Sequence, residues 1–396
     1  MTKSIAILGA GLMGTAIAAT HLRIGFDVFL YDIAEQTLRD APKRVAEVSS
    51  PLLFGKRTET CDVAGCPHPS PLPQEEGTLR CTSQIEQVLD CPIIIETITE
   101  KRKAKQKLYR AIQNGIEASG RPFPCLFTNT STISIASLAE ELHPEQAKKF
   151  LGFHFFHPVR ERSLVEIIPG AATELATVLL AKDHAARIQK HPIQVGDGPG
   201  FLVNRILNPY LTGALQLLLE GVEMQRIERV ATDFGMNMGP FRIMDEIGLD
   251  VVLHAGWVLY RAFPDRVPRS PILMKLVEMQ RLGRKTGAGF MRYETVNSWD
   301  GDPVPDPVFD ELLRGMSNGH HHTDISDTEI EKRLIDSMRD EAIRCFEDGV
   351  IIDLADADWA SVHALGFPPT KKLSAPQSYH CVTDLTPLSP ANEGVV

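Results

Sequence analysis

The sequence has few of the features that direct a chain into a membrane or out of the cell. No apolar run among its 396 residues reaches the length of a bilayer-spanning helix. The opening residues MTKSIAILGAG lack the apolar core and the small-residue cleavage site of a secretory signal. Seven cysteines, an odd number, favour reduced thiols over a disulfide framework. We therefore expect a cytoplasmic protein without a membrane span.

Positive charge is also scarce, since 41 Lys and Arg face 51 Asp and Glu and leave a net charge of −10. A chain this acidic is a poor candidate for binding nucleic acid, where neutralisation of phosphates dominates the affinity. With 43% hydrophobic and 23% charged residues, the composition is that of a globular protein, long enough for two or three domains. Small-molecule substrates stay open, because a basic pocket can lie on an acidic protein.

The spacing of the cysteines and histidines does not favour a metal site. Cys61, Cys66, His68 and Cys81 fit no common zinc spacing and lie in or beside a proline-rich segment, which favours ordinary loop residues. The three histidines at 320–322 lie in a polar linker, which is typical of a solvated loop. We predict no metal.

The N-terminal segment has the pattern of a dinucleotide-binding unit. A short apolar run at residues 4–8 ends in GAGLMG, a helical pattern follows, and a second apolar run closes on Asp32. Gly9 permits the tight turn, Gly11 lets the backbone approach a pyrophosphate, and Gly14 permits close packing of helix on strand. No arginine follows Asp32 to hold a 2′-phosphate, so NAD is favoured over NADP as the cofactor.

Strand-like and helical patterns alternate up to about residue 190, which indicates a parallel sheet covered on both faces. Beyond that point the periodicity is helical. We predict an α/β Rossmann fold, with a doubly wound, mostly parallel sheet, followed by all-α C-terminal domains. Residues 56–80 indicate an irregular surface excursion. The predicted units are an NAD-binding domain at 1–190, helical domains at 191–296 and 325–370, and a disordered tail at 371–396.

The stretch FLGFHFFHPVRERSLVEIIP, residues 150–169, offers the groups that NAD-linked oxidation of an alcohol needs. A general base must take the hydroxyl proton, and histidine suits this near neutral pH. A carboxylate at the other ring nitrogen fixes the tautomer. His154 and Glu166 lie in two apolar runs that neighbouring strands could bring together, and burying an unpaired glutamate is costly. From the pattern alone, a satisfied core histidine and a solvent-facing glutamate stay open.

Taken together, the motifs resemble the L-3-hydroxyacyl-CoA dehydrogenase family. The matching stretches are IAILGAGLMG, NTST, GFHFFHPV with LVEIIPG, GDGPGFLVNRILNPYL and RKTGAGFMRY, spread over residues 3–295. The segment 325–368 resembles the second helical domain of the long multifunctional fatty-acid oxidation proteins. The resemblance implies NAD-dependent oxidation of an L-3-hydroxyacyl-CoA to the 3-ketoacyl-CoA in fatty-acid β-oxidation.

The resemblance also implies roles for particular residues. His154 matches the catalytic base, and Glu166 matches its carboxylate partner. Ser131 matches a serine that contacts the substrate oxygen and the nicotinamide side, and Asn204 matches an asparagine that binds the substrate. The residues implied to bind NAD are Gly9, Gly11, Met13, Gly14, Asp32, Glu100, Lys105, Ser131, His157 and Lys285.

Three features depart from the family pattern. His157 stands where the family usually has asparagine; an amide both donates and accepts, whereas neutral imidazole does each through one ring nitrogen. This residue could keep a cofactor contact with altered geometry, or titrate beside the base. Residues 56–80 replace the helical arm that helps to clamp CoA in relatives. After GFPP the chain continues as TKKLSAPQ, and we expect no enoyl-CoA hydratase domain in it.

Two other functions stay open. One is a dehydrogenase of a short-chain or non-CoA hydroxyacid in the same superfamily, which the altered CoA arm favours. The other is a non-catalytic NAD-binding subunit, which the presence of all four catalytic matches disfavours.

Relatives usually dimerise through the helical domains, so we expect a homodimer, or a pseudo-dimer if the extra C-terminal segment fills that surface. An acyl-CoA is the expected substrate, and an enoyl-CoA hydratase or a thiolase is the kind of protein partner expected.

Overall fold

A single eight-stranded sheet forms the first part of the protein. The structure, a computed structural model, describes residues 4–49, 77–294, 303–316 and 325–374. The strands in chain order are β1 (Ser4–Leu8), β2 (Asp27–Tyr31), β3 (Leu79–Thr82), β4 (Ile93–Glu96), β5 (Cys125–Thr128), β6 (Phe150–Phe155), β7 (Leu164–Pro169) and β8 (His191–Gln194).

The sheet order is β3–β2–β1–β4–β5–β6–β7–β8. All pairs from β3 to β6 are parallel, β7 runs antiparallel to β6, and β8 is parallel to β7. The predicted doubly wound, mostly parallel sheet is therefore confirmed. Because the order reverses between β1 and β4, the C-terminal ends of these strands border the crevice in which such sheets bind ligands.

Three predicted boundaries differ from the structure. The strand β3 begins at Leu79, so the end of the segment 56–80 is regular; residues 56–76 lie outside the described part. The strand β8 extends the sheet to Gln194, four residues beyond the predicted limit of 190. Its sequence HPIQ is too short and too polar to read as a strand without its neighbour. Residues 371–374, predicted to be tail, are ordered, because Leu373 is buried and its carbonyl accepts a hydrogen bond from Arg339.

Helices cover both faces of the sheet and build the rest of the protein. Those flanking the sheet are α1 (Leu12–Leu22), α2 (Glu35–Ser49), α3 (Arg102–Ser119), α4 (Ile135–Ala139), α5 (Pro144–Ala147) and α6 (Leu175–Arg187). Those that follow are α7 (Val203–Leu219), α8 (Met224–Phe234), α9 (Pro240–Ile247), α10 (Leu249–Ala262), α11 (Pro271–Glu278), α12 (Pro307–Met316), α13 (Asp327–Glu347) and α14 (Leu354–Ala360).

The strand β1 shows how the two faces arise. Successive side chains of a strand point to opposite faces. Ile5 and Ile7 belong to the cluster that packs under α1 and α6, whereas Ala6 and Leu8 belong to the larger cluster that includes α3 and α4. This larger cluster continues without a break into the helices after residue 200. The helical part is therefore packed onto the sheet rather than suspended beside it.

Residues 325–374, the C-terminal block, pack chiefly on α7. Ser326 caps the N-terminus of α13, since its Oγ accepts a hydrogen bond from the backbone N–H of Glu329 at 3.1 Å. Gly213 on α7 lets the two helices approach closely, since a Cβ there would lie 3.2 Å from the carbonyl oxygen of Arg333. The helix α12 lies in the stretch between the two predicted helical domains. Among the described residues, none of the helices is long and apolar enough to cross a membrane.

Candidate active site

His154 and Glu166 form a buried pair across two strands. They are directly opposed in the antiparallel register of β6 and β7. His154 Nδ1 lies 2.7 Å from Glu166 Oε2, and the two residues are 4% and 0% exposed. Because a carboxylate only accepts, Nδ1 carries the proton and Nε2 keeps its lone pair. Two neighbouring strands therefore bring the residues together, one of the arrangements that the sequence pattern left open.

The second oxygen of Glu166 binds the start of α7. Its Oε1 accepts hydrogen bonds from the backbone N–H groups of Leu202 at 3.0 Å and Val203 at 2.9 Å. Helix N-termini have unpaired N–H groups and a positive dipole end, which stabilise a carboxylate in a dry site. The glutamate is therefore paired on both oxygens, which explains how an apolar strand accommodates it.

Ser131 lies on the other side of the imidazole. Its Oγ is 3.1 Å from His154 Nε2, and the tautomer assigned above makes the hydroxyl the donor. Asn204, in the first turn of α7, donates from Nδ2 to the carbonyl oxygen of Ser131 at 3.2 Å. The four residues predicted to be catalytic thus meet in one place, with the start of α7, in the helical part, completing a group that begins in the sheet.

A single carboxylate holds the loop that carries Ser131. Glu100 Oε1 accepts from the backbone N–H groups of Ser131 and Thr132, both at 2.9 Å, and from the hydroxyls of Thr130 and Thr132 at 2.6 and 3.0 Å. Burial opposes ionisation of Glu100, but nearby Lys105 and these hydrogen bonds outweigh it and lower its pKa. The carboxylate is therefore ionised at neutral pH and fixes the loop.

Lys105 lies beneath this loop in a buried network. Its Nζ is 2.7 Å from Glu96 Oε1 and 3.4 Å from Glu100 Oε2, and the residue is 1% exposed. Glu96 also accepts from Tyr109 at 2.7 Å and from Thr128 at 2.8 Å. In this geometry Glu100 and Lys105 support Ser131; their predicted contact with NAD stays a prediction.

Three supporting residues had no role in the sequence prediction. Asn129 Oδ1 accepts the backbone N–H of Phe155 at 2.8 Å and fastens the end of β6. Asp197 accepts three hydrogen bonds at the start of α4, including 2.9 Å from the N–H of Ile135. His254 Nε2 on α10 lies 3.5 Å from the hydroxyl of Thr132. Asn129 and Asp197 lie inside the motifs NTST and GDGPG, so their position in the sequence could have indicated a role at the site. No motif contains His254.

The glycine turn after β1 has the space that a dinucleotide needs. Gly9 has φ +107°, a conformation that favours glycine, and a Cβ there would lie 2.7 Å from the carbonyl oxygen of Thr97. At Gly14 a Cβ would lie 1.7 Å from the Gly9 oxygen, so close packing of α1 on β1 requires glycine. At Gly11, by contrast, a Cβ would meet nothing within 4 Å. The open face at Gly11, at the uncapped start of α1, fits a pyrophosphate.

Asp32 lies beside this turn at the end of β2. Its Oδ2 accepts the N–H of Ala10 at 2.8 Å and its Oδ1 accepts that of Ala34 at 2.9 Å. The carboxylate is thus fixed where the adenosine ribose of NAD is expected. Met13, in the first turn of α1, is half-buried against the core beneath the turn.

His157 and Lys285, also predicted to bind NAD, lie outside the buried group. His157 has an exposed side chain, yet the protein atoms packed around part of it and the Arg162 cation lower its pKa. It is therefore neutral at neutral pH. Lys285 Nζ is 2.5 Å from Asp250 Oδ1 at the start of α10, one turn before His254. Lys285 is thus paired with the helix whose His254 reaches the Ser131 loop.

No three His, Cys, Asp or Glu side chains within the described ranges are arranged to hold a metal. Of the zinc candidates, Cys61, Cys66 and His68 lie outside the described residues, as do the histidines 320–322. Cys81 is an exposed free thiol on β3.

A Rossmann sheet with this glycine turn, completed by helices that close on a histidine–carboxylate pair, defines an NAD-dependent oxidoreductase. The NAD-binding domain of 3-hydroxyacyl-CoA dehydrogenase matches residues 4–198, and the C-terminal domain of 3-hydroxyacyl-CoA dehydrogenase matches residues 200–293. The chain therefore belongs to the 3-hydroxyacyl-CoA dehydrogenase family.

Among known proteins, the chain is similar to the fatty acid oxidation complex subunit alpha of Pseudomonas savastanoi pv. phaseolicola and of Pseudomonas entomophila. Both are 34% identical over 369 residues, which cover 93% of this chain and 49% of the relative. The chain thus spans about half the length of the curated relatives it matches.

Solved structures share the fold. The 3-hydroxybutyryl-CoA dehydrogenase of Escherichia coli K12 is 22% identical, with a TM-score of 0.70 over 93% of this chain and 89% of that one. At that identity the likeness shows the fold alone. The (S)-3-hydroxybutyryl-CoA dehydrogenase of Ralstonia eutropha is 28% identical, with a TM-score of 0.62 over 74% of this chain and 100% of that one.

Proposed function

We propose that the protein oxidises L-3-hydroxyacyl-CoA to 3-ketoacyl-CoA with NAD, as a step of fatty-acid β-oxidation. The observation that supports this most is the buried arrangement of Ser131, His154 and Glu166, with Asn204 beside it, in a chain of this family. The proposal assigns each of these groups one task in removing a proton and a hydride from a secondary alcohol.

His154 is the general base of the proposed reaction. Glu166 holds the Nδ1–H, so the lone pair of Nε2 is directed away from the strand pair towards Ser131. A 3-hydroxyl that binds at Nε2 gives up its proton to this nitrogen. Glu166 then stabilises the imidazolium that forms, in the way an orienting carboxylate does in a catalytic triad.

Ser131 and Asn204 position the reacting oxygen. The hydroxyl of Ser131 already lies 3.1 Å from Nε2, so it donates to the oxygen that approaches the base. As the carbonyl forms, a fixed donor stabilises the changing charge on that oxygen. Asn204 anchors the Ser131 carbonyl and presents its amide from the first turn of α7.

NAD supplies the hydride acceptor when it is bound. The open face at Gly11, the carboxylate of Asp32 and the uncapped start of α1 would hold it with its reactive end towards the C-terminal edge of the sheet. Glu100 and Lys105 would contribute to NAD binding indirectly, by holding the loop that carries Ser131. His157, neutral at neutral pH, would contact the cofactor at the mouth of the site.

An alternative substrate is a hydroxyacid without CoA. This alternative rests on residues 56–80, which replace the CoA-clamping arm of relatives and lie mostly outside the described residues. The two proposals are separated by offering the purified protein NAD with L-3-hydroxyacyl-CoA esters of short, medium and long chain, and with the matching free acids. We expect reduced nicotinamide to appear with the esters. Its absence with every ester would reject the leading proposal, and activity with free acids alone would favour the alternative.

Partners are proposed from the same relatives. Proteins named as subunits of a fatty acid oxidation complex match this chain along about half of their own length, so we propose an enoyl-CoA hydratase or a thiolase as partner. We also propose that the C-terminal block covers the face of α7 that a second subunit would otherwise cover, as a pseudo-dimer. Sedimentation of the purified chain as a monomer would support this, and a homodimer would contradict it.

A further inference from the structure

The segment that joins the sheet to α7 is strained. In this joining segment, residues 195–202, Gly200 has φ +76° and Phe201 has φ +51°. A positive φ is uncommon for a bulky residue such as phenylalanine and persists only where the surroundings hold it. Phe201 is buried, and its ring centroid is 5.9 Å from that of His154. The backbone next to the base therefore needs external support.

One support comes from the C-terminal block, at the turn after α13. The backbone N–H of Gly196 donates to the carbonyl oxygen of Val350 at 2.8 Å. A Cβ on Gly196 would lie 3.2 Å from the carbonyl oxygen of Gly349, so the two backbones touch. This contact fixes the joining segment at the end nearer the sheet.

A second support is a buried ion pair at the other end. Arg205, in the first turn of α7, is 2% exposed. Its Nε lies 2.7 Å from Glu341 Oε1, and its Nη2 lies 2.8 Å from Asp348 Oδ2. Its guanidinium also lies over the ring of Phe263, 4.8 Å from the centroid. The guanidinium is therefore held by α13 and by the turn that follows it.

We propose that residues 341–350 are an internal brace for the active site, with Arg205, Glu341 and Asp348 as positioning residues. The brace holds the start of α7, where the N–H groups of Leu202 and Val203 bind Glu166 and where Asn204 binds Ser131. It thereby fixes both partners of His154 from the far side of the helical part. The catalytic consequence rests on the proposed function; the structural one does not.

The two ends of α7 provide a matched control. Arg333 on α13 makes two hydrogen bonds, 2.6 and 2.7 Å, to Glu220 at the far end of α7. Fifteen residues separate Glu220 from Arg205, which is about 22 Å along a helix. Both ion pairs join the same two helices, but only the pair at Arg205 adjoins the residues that bind Glu166 and Ser131.

The first test measures amide hydrogen exchange by mass spectrometry, without substrate. In Glu341→Gln/Asp348→Asn, peptides covering residues 196–206 should exchange faster than in wild type, because the start of α7 is released. In Glu220→Gln those peptides should exchange as in wild type. Unchanged exchange in the first variant, or an equal increase in both, would overturn the brace.

The second test measures turnover and NAD affinity in the same variants. Turnover of 3-hydroxyacyl-CoA should fall roughly 3- to 30-fold in Glu341→Gln/Asp348→Asn, the range of such coupling, while the Kd of NAD stays unchanged. Glu220→Gln should keep wild-type turnover. If both variants lose turnover to the same degree, the brace is merely structural and the positioning role is wrong.

A milder variant keeps the test valid if the double variant does not fold. Asp348→Asn alone removes the half-exposed partner of Arg205 and leaves the buried Glu341 in place. It should also speed exchange at residues 196–206 and lower turnover, but by less than the double variant does. A wild type without turnover would reject the proposed function, whereas the exchange result would still decide whether the brace holds α7.

Discussion

His154 and Glu166 lie directly opposite each other in the β6–β7 register, with 2.7 Å between Nδ1 and Oε2. Since β7 is antiparallel to β6, the hairpin-like return of the chain brings the carboxylate to the imidazole within one sheet. The other oxygen of Glu166 binds the start of α7. One side chain therefore orients the base and ties the helical part to the sheet.

Replacing Glu166 by glutamine should separate these two tasks. In Glu166→Gln an amide still fills the space but carries no charge to stabilise an imidazolium. We expect kcat to fall about 10²- to 10⁴-fold, with NAD binding unchanged. Steady-state kinetics and a titration of NAD measure the two quantities.

A half-buried glutamate elsewhere, Glu228, serves as the control for this variant. Glu228 also accepts backbone N–H groups, from Phe241 at 2.7 Å and Arg242 at 3.4 Å, and burial raises its pKa to about 7. In Glu228→Gln we expect kcat near that of wild type. Equal activity of Glu166→Gln and wild type would show that the carboxylate does not serve the base.

The glycine turn gives a prediction that distinguishes binding from folding. Gly11→Ala places a methyl group in open space, so the free energy of unfolding without cofactor should hardly change. The same methyl group occupies the expected pyrophosphate site, and the Kd of NAD should rise roughly tenfold, which corresponds to about 1.4 kcal/mol.

Gly14→Ala should instead lower the stability of the fold. Its Cβ would lie 1.7 Å from the oxygen of Gly9, so we expect about 1–3 kcal/mol of destabilisation without cofactor. Urea unfolding and NAD titration of both variants check this. If Gly11→Ala bound NAD as wild type does, the pyrophosphate assignment would have to be abandoned.

A buried histidine pair should make stability depend on pH. His21 Nδ1 donates to the Ile17 carbonyl oxygen at 2.8 Å, so its Nε2 accepts from His184 Nε2, 2.9 Å away. Burial lowers the pKa of His21 from 6.5 to about 4 and, with His21 and Arg187 nearby, lowers that of His184 as well. Both rings are neutral in the folded protein at neutral pH.

The sign of the dependence follows from proton binding. Between pH 6.5 and about 4 the unfolded chain binds protons that the folded chain does not, so the free energy of unfolding falls as the pH falls. We expect roughly 3 kcal/mol to be lost over this range from His21 alone, and the lowered pKa of His184 adds to the loss in the same direction. His184→Gln keeps a donor for His21 but cannot titrate, so its curve of stability against pH should be flatter than that of wild type. Parallel curves from urea unfolding would contradict this.

Much of the fold was predictable because local patterns dictate it. The glycines at 9, 11 and 14 follow an apolar strand, and the structure gives a steric reason for glycine at 9 and 14, whereas Gly11 faces open space. The strand β8 escaped prediction because HPIQ has no strand pattern of its own. It becomes a strand only because β7 offers an unpaired edge. Leu373 was assigned to the tail because its burial likewise depends on a distant element, the α13 helix.

The Rossmann sheet, the preference for NAD and the candidate residues of the site could be predicted from the sequence, because glycine spacing, strand length and residue chemistry are local properties. The contacts that hold those residues in place come from the packing of distant segments. The contact of Glu100 with the cofactor stays a prediction, and the structure shows in addition that its carboxylate holds the Ser131 loop. Arg205 looks in sequence like one more charged helix residue, yet it is buried between Glu341 and Asp348, more than 130 positions away. Such contacts depend on packing between distant segments, and no local pattern of residues specifies them.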